Sequence, residues 1–167
     1  MSFDPLQATS VDQWLETELG RYIFSRQEKL ILDLVSPDAG ESLLDVGCGT
    51  GNYLRIFKQK KCVLTGMDSS AKALELARKK LGHQCELVLG NATDLPFSDN
   101  EFDVVTLMNG PQMVGDPQKV IAEAVRVSRN RVFIGFFNKI SLAGTKHSVR
   151  KLFGLPVTPA MRFFTIS

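Results

Sequence analysis

Five short apolar runs recur along the chain, separated by longer stretches in which apolar residues return every three or four positions. Apolar runs this short, bounded by polar or glycine-rich turns, are typical of buried strands. The predicted strands span 43–47, 62–67, 86–89, 104–108 and 131–137. The longer stretches have the period of amphipathic helices, so the pattern predicts that strands and helices alternate.

The helical stretches have recognisable starts and stops. Ser10 is predicted to cap a first helix that ends at Gly20, and a second helix ends before Pro37. Asp116-Pro117 has the form of a helix start. The remaining predicted helices begin near Leu54, run from Ser69 or Ser70 to Gly82, and span Ser141–Phe153. Alternating strands and helices predict an α/β fold with a doubly wound, mostly parallel sheet and helices on both faces.

The end of the first predicted strand carries the most specific pattern in the sequence. Asp45 lies inside the apolar run, and glycines follow at positions 47, 49 and 51. Glycines at alternate positions let the backbone turn sharply and approach a ligand closely, so the pattern predicts a nucleotide-binding crevice. The third glycine of a G-x-G-x-x-G motif is replaced by Asn52, which argues against a nicotinamide or flavin dinucleotide.

Two aspartates accompany this crevice. A buried charge at Asp45 is costly unless it is paired, so either a cationic ligand group or local backbone donors satisfy it; equally, Asp45 caps the glycine turn. Asp68 ends the second strand roughly 20 residues after the first glycine, where an acid accepts the hydroxyls of an adenosine ribose. A helix N-cap is the alternative role, but Ser69 and Ser70 already supply caps, which favours the ribose role.

The loop after the third strand has two candidate ligand contacts. The side-chain amide of Asn91 and the backbone N–H of Ala92 are placed to read an adenine edge. An ordinary polar turn before Pro96 explains the same residues equally well.

Composition narrows the class of protein. The 167 residues, 44% hydrophobic and 23% charged, fit one domain with a buried core. We expect N-terminal helices over 1–37, a sheet core over 43–137 and an incomplete C-terminal part over 141–167. The net charge of +2 comes from interleaved acids and bases, so no nucleic-acid partner is expected. Short basic clusters at 58–61 and 126–131 are interpreted as solvated helix ends.

Cysteines and histidines add little chemistry. The three cysteines have no C-x-x-C spacing, and no leader or membrane-spanning run is visible, so we expect a cytoplasmic protein without a membrane partner. His83 and His147 are predicted to lie on the surface, and no metal site is expected. The sequence pattern gives no basis for predicting an oligomeric state.

Three motifs together resemble the class I S-adenosylmethionine-dependent methyltransferases, of the type-11 kind that acts on small molecules. They lie at 43–54, 66–70 and 90–105, and the resemblance extends from about Trp14 to Phe137. It implies a Rossmann-like sheet, S-adenosylmethionine as cofactor with S-adenosylhomocysteine as product, and a small-molecule methyl acceptor. Methyl transfer of this kind is an in-line displacement that depends mainly on positioning, and no catalytic base is assigned.

The resemblance also implies a cofactor site. Asp45 and the glycine loop would hold the methionine part, Asp68 the ribose, and Asn91 with Ala92 the adenine, while Tyr22 helps to close over the methionine end. The full predicted set is Tyr22, Asp45, Gly47, Cys48, Gly49, Gly51, Asp68, Ser69, Asn91, Ala92 and Met108.

The chain departs from the family pattern at several places. Asn91 stands where the family usually has an aspartate, and the segment from Met108 to Met113 replaces one that often carries histidines. The antiparallel hairpin that completes the family's sheet is expected to be missing. Two alternatives to an active methyltransferase remain: a cofactor-binding domain without turnover and, less favoured, an NAD-dependent oxidoreductase.

Overall fold

The computed structural model describes residues 11–108 and 116–135. The strands are β1 (Ser42–Val46), β2 (Val63–Asp68), β3 (Cys85–Leu89), β4 (Phe102–Met108) and β5 (Ser128–Gly135). They form one sheet in the order β3-β2-β1-β4-β5, and every neighbouring pair is parallel. The order reverses between β1 and β4, which is where open α/β sheets bind ligands, at the carboxyl ends of the strands. The predicted α/β sheet is confirmed.

The helices connect these strands. They are α1 (Glu18–Val35), α2 (Leu54–Lys58), α3 (Ala71–Leu81) and α4 (Pro117–Val127), and residues 11–15 are also helical. The Ser70 side chain accepts the Ala73 N–H at 3.2 Å at the start of α3, and Gly82 follows its last residue. Asp116 accepts the Lys119 N–H at 3.1 Å and Pro117 opens α4. Both helix starts agree with the prediction from sequence.

The two faces of the sheet bury separate apolar clusters. One face is covered by α1, α2 and α3, whose buried residues pack on Leu43, Leu64 and Val104. The other is covered by α4, which packs on Leu44 and Val105. Because side chains alternate along a strand, Asp45 shares the face of Leu43 and therefore lies beneath the helices that precede and follow the first strand.

The prediction for the N-terminal helices is wrong in its boundary. The helical residues 11–15 are followed by a break, and Thr17 caps α1 by accepting the Gly20 N–H at 3.0 Å. Gly20 therefore lies in the first turn of α1 and does not end a helix. A side chain there would collide with the Trp14 carbonyl oxygen, so the glycine allows the two helical segments to approach each other.

The interpretation of residues 126–131 as a solvated helix end holds only in part, because α4 ends at Val127 and Arg129 is exposed, but Arg126 and Arg131 are partly buried. Arg126 donates to both carboxylate oxygens of Glu123, at 2.8 and 2.7 Å, and to the carbonyls of Leu95 and Phe97. These hydrogen bonds from Arg126 lower the pKa of Glu123 to about 2. Arg131 likewise donates to the Val35 carbonyl that ends α1. The arginines therefore hold the loop before β4 and the end of α1 in place.

Several predictions lie outside the described residues. They concern the segment 109–115, the last part of the fifth strand, the helix over 141–153 and the rest of the C-terminal part. Among the residues that are described, no helix is long and apolar enough to span a membrane.

Candidate functional site

Asp45 lies at the centre of the sheet, one residue before the end of β1. It is fully buried and pairs in register with Gly66 on β2 and Thr106 on β4. Its Oδ1 accepts the Thr106 hydroxyl at 2.8 Å, while no donor among residues 11–108 and 116–135 reaches its Oδ2. A buried carboxylate oxygen without a donor is unfavourable, so this atom is suited to a cationic or N–H donor from a ligand.

The surroundings of Asp45 favour its neutral form. Burial raises its pKa to about 7, the nearby Asp68 charge adds to the rise, and the Thr106 hydrogen bond acts in the opposite direction. A donor that reaches Oδ2 would lower the pKa again by stabilising the ionised form. The carboxylate is therefore poised to change its protonation when a cation binds beside it.

The glycine loop turns the chain directly after β1. Gly47, Gly49 and Gly51 all have positive φ, at 76°, 55° and 79°, a conformation that glycine adopts without strain. Gly49 has no atom within 4 Å of the position that a side chain would take, so its backbone is open to approach. Gly51 differs, because a Cβ there would lie 2.8 Å from a methyl carbon of Leu81. Gly49 therefore leaves room for a ligand to approach, whereas Gly51 allows the loop to pack closely on α3.

Asp68 ties the end of β2 to this loop. Its Oδ2 accepts the Gly49 N–H at 2.9 Å and its Oδ1 accepts the Ser70 N–H at 2.8 Å. The aspartate that caps the glycine turn is therefore Asp68, and the suggestion that Asp45 caps it is wrong. Each oxygen of Asp68 keeps a second lone pair for a ligand hydroxyl, and Ser70 is the N-cap of α3, as the ribose interpretation requires.

Cys48 lies in the glycine loop but is not a nucleophile. It is 5% exposed, and burial together with the charges of Asp45 and Asp68 raises the pKa of its thiol far above the ordinary range. A thiol that stays protonated is inert. Its sulfur instead packs where Gly66 has no side chain, 3.0 Å from the position of a Cβ.

Asn91 and Ala92 follow β3 beside this edge. The Gly90 N–H donates to the Asp68 carbonyl at 3.1 Å, which brings the two strand ends together. The Asn91 side-chain oxygen accepts both the N–H and the hydroxyl of Thr93 at 3.0 Å. The polar turn is therefore present, and the amide nitrogen of Asn91 remains as the group available to a ligand.

The remaining predicted residues are placed less closely. Tyr22 lies on α1 with 60% of its surface exposed, and its ring packs under Arg26. Ser69 is exposed between Asp68 and the cap of α3. Met108 is the last residue of β4 and is half-buried. Their contribution to a ligand site stays a prediction.

Thr106 is the functional residue that sequence reasoning missed. It is fully buried, and it is the described residue that donates to Asp45. Its position depends on the register of β1 against β4 across 61 residues. A threonine inside an otherwise apolar run was the available signal.

A shallow depression of about 490 Å³ lies elsewhere on the surface, lined by Lys58, the end of α3 and His83. None of the predicted cofactor residues lines it. The described residues also contain no group of three or more histidine, cysteine, aspartate or glutamate side chains that could hold a metal.

The residues at the carboxyl ends of β1 and β2 fit the ligand that the sequence resemblance implies. The Oδ2 atom of Asp45, which lacks a donor among the described residues, can accept from an amino group of a ligand. Asp68, held by the Gly49 N–H, can accept from ribose hydroxyls, and the backbone at Gly49 leaves room for a ligand to approach. The structure thus brings Asp45, the glycine loop and Asp68 into one site.

Comparison with known proteins gives a family match. A family model described as a methyltransferase domain, type 11, matches residues 44–134, just over half of the chain. A demethylmenaquinone methyltransferase of Thermotoga maritima is 35% identical over 109 residues, covering 64% of this chain and 47% of that enzyme. Another, of Clavibacter sepedonicus, is 38% identical over 95 residues, covering 56% of this chain and 39% of that enzyme. The chain spans about half the length of the curated relatives it matches.

Solved structures show the same fold. A crystal structure from Thermotoga maritima, described as a SAM-dependent methyltransferase and possible histamine N-methyltransferase, superposes with a TM-score of 0.78. It is 21% identical, and the match covers 96% of this chain and 72% of that one.

Proposed function

The chain belongs to the methyltransferase domain family, and on that premise we propose that it transfers a methyl group from S-adenosylmethionine to a small organic acceptor. The observation that carries the proposal is the buried Oδ2 of Asp45 at the switch point of the sheet, which has no donor in the part of the chain that the structure describes and lies beside an open glycine loop. A ligand that carries both an amino group and a ribose complements this edge.

Each group of the site has a distinct task. Asp45 would accept from the amino group of the methionine part, and Asp68 from the ribose hydroxyls. The Asn91 amide nitrogen and the Ala92 N–H would donate to the adenine. Gly47 and Gly49 would let the ligand approach the backbone. Because Asp68 is already fixed by two backbone N–H groups, binding would cost little reorganisation at this residue.

Catalysis would rest on alignment. When bound, S-adenosylmethionine supplies an electrophilic methyl group on a sulfonium. The chain's contribution is to hold that end of the ligand beside an acceptor and to exclude water, effects that are large when the geometry is close to that of the reaction. The described residues provide no side chain that we assign as a general base.

The acceptor is proposed as a small molecule from the names of the relatives. Several of them are demethylmenaquinone methyltransferases. A quinone or its reduced hydroquinone is therefore the first acceptor class to screen. Amines are the second class, because the structural neighbour from Thermotoga maritima is described as a possible histamine N-methyltransferase.

Calorimetric titration with S-adenosylhomocysteine tests the cofactor part of the proposal. We expect micromolar binding, no binding of NAD in a parallel titration, and affinity at least tenfold weaker in Asp68→Ala, or about 1.4 kcal/mol, because charge-assisted contacts are lost. Asp33→Ala, an exposed aspartate on α1, is the matched control and should bind like wild type. Binding of NAD, or wild-type affinity in Asp68→Ala, would contradict the proposal.

Turnover is tested separately with methyl-labelled S-adenosylmethionine and an acceptor panel. Label transfer to any acceptor supports the enzyme. Tight binding with no transfer to any hydroxyl, amine, carbon or thiol acceptor would favour a cofactor-binding domain without turnover.

We also propose a cytoplasmic location. The three cysteines of the chain are free, and Cys48 and Cys85 are buried in the core, a usage typical of reducing compartments. Fractionation of cells that express the tagged chain checks this.

A further inference from the structure

A hydrogen-bond network joins the N-terminal residues to the glycine loop, and the proposed cofactor contacts do not use it. Asp12 Oδ1 accepts the Thr50 hydroxyl at 2.9 Å, the Asn52 amide N–H at 2.8 Å and the Lys80 ammonium at 2.6 Å. Lys80 also donates to Thr50 Oγ1 at 2.8 Å and to Asn52 Oδ1 at 3.0 Å. A single carboxylate oxygen therefore connects the helical residues 11–15, the glycine loop and α3.

We propose that Asp12 is a positioning residue of the glycine loop, which fixes Thr50 and Asn52 on either side of Gly51 and so sets the affinity of the site for its adenosyl ligand. The identity of the ligand in this inference rests on the proposed function. The part that concerns the loop geometry does not depend on it.

The loop is held from two sides. Asp68 accepts the Gly49 N–H on the side of the candidate ligand site, and Asp12 holds the two residues around Gly51 from the side of α3. A glycine-rich segment loses more conformational entropy on ordering than other segments. If the loop is already ordered before the ligand arrives, this loss of entropy does not reduce the free energy of binding.

The network also explains why Asn52 occupies the position of the third glycine in the G-x-G-x-x-G motif. A glycine there has no side chain and could neither donate to Asp12 nor accept from Lys80. The departure from the motif therefore has a structural role in the anchor of the loop.

The groups around Asp12 favour the ionised form of its carboxylate. Burial alone would raise its pKa, but hydrogen bonds from Lys80, Asn52 and Thr50 outweigh the burial and lower the pKa below its ordinary value. The side chains of Asp12 and Lys80 are 21% and 32% exposed, so solvent screens the pair only in part. Charge-assisted hydrogen bonds of this kind are stronger than neutral ones.

Asp12→Asn tests the proposal, because it keeps the shape of the side chain and removes its charge. Asp33→Asn is the matched control, since Asp33 pairs with Lys29 at 2.9 Å in an exposed position. Amide hydrogen exchange at Gly49 and Gly51 in the ligand-free protein reports the order of the loop. The dissociation constant for S-adenosylhomocysteine reports the site, and circular dichroism confirms that each variant is folded.

We expect Asp12→Asn to speed exchange at Gly51 severalfold and to weaken S-adenosylhomocysteine about tenfold, while Asp33→Asn changes neither. Asn52→Gly, which restores the glycine motif, should weaken binding as well. Unchanged affinity in Asp12→Asn would overturn the proposal, even with a lower melting temperature or faster exchange. If the wild-type protein binds no S-adenosylhomocysteine, the proposed function fails, and loop exchange alone decides whether Asp12 orders the loop.

Discussion

Replacement of Asp45 by asparagine should remove a loss of stability that the wild-type protein undergoes as the pH rises. The folded-state pKa of Asp45 is about 7, against about 3.9 in an unfolded chain. The folded state therefore keeps a proton that the unfolded state has already lost between roughly pH 4 and pH 7. By linkage, stability falls as the pH rises through this interval, and the full cost of the ionised carboxylate is present above pH 7.

The size of the effect follows from the shift. About three pKa units correspond to about 4 kcal/mol at pH 8, of which about 1.5 kcal/mol has already developed at pH 5. Asparagine does not ionise, so the free energy of unfolding of Asp45→Asn minus that of wild type should rise by about 2.5 kcal/mol between pH 5 and pH 8. Any constant cost of burying the amide cancels in this comparison.

Urea denaturation at the two pH values measures the difference. Asp33→Asn is the control, because its exposed carboxylate stays in water in both states, and its difference from wild type should change little with pH. At pH 8 the Asp45→Asn protein should also bind S-adenosylhomocysteine at least tenfold more weakly. An Asp45→Asn difference that is the same at pH 5 and pH 8 would refute the argument that burial holds this carboxyl in its neutral form.

Two other changes test the packing that supports the site. Gly51→Ala should lower the free energy of unfolding by about 2 kcal/mol more than Gly40→Ala. Both glycines have positive φ, but only a Cβ at position 51 would crowd Leu81, at 2.8 Å. Equal losses of stability in thermal denaturation would contradict this prediction. Arg126→Met should cost about 2 kcal/mol, since it removes the arginine donor from two carbonyls and from the Glu123 carboxylate, which keeps the Leu95 N–H. The exposed Lys29→Met should cost under about 0.5 kcal/mol. Similar denaturation midpoints for the two variants would show that the arginine contacts add nothing.

Local patterns were sufficient to predict the sheet and the turn of the site. The run around Asp45 is too short and too apolar for a helix, and glycines at alternate positions determine where the chain turns. Asp68 was predictable for the same reason, since it ends its strand at a fixed spacing from the loop. These features depend on neighbouring residues, which the sequence displays directly.

Contacts between distant residues were not predictable in this way. Gly20 resembles a helix stop, yet its role is to admit the Trp14 carbonyl. The Thr106 hydroxyl meets Asp45 only because β1 and β4 pair in one particular register. Asp12 reaches Lys80 across 68 residues. Such pairings follow from tertiary packing. A polar residue in an apolar run, such as Thr106, indicates that a partner exists, but the sequence does not show which residue it is.

The central claim is that an adenosyl ligand binds at the carboxyl ends of β1 and β2. Backbone chemical shifts of the isotopically labelled protein, followed during titration with S-adenosylhomocysteine, locate the ligand directly. The account predicts the largest shifts at Gly47, Gly49 and Ser69, with smaller ones at Ala92. Shifts confined to the depression lined by Lys58 and His83, or no shifts in a folded sample, would contradict it.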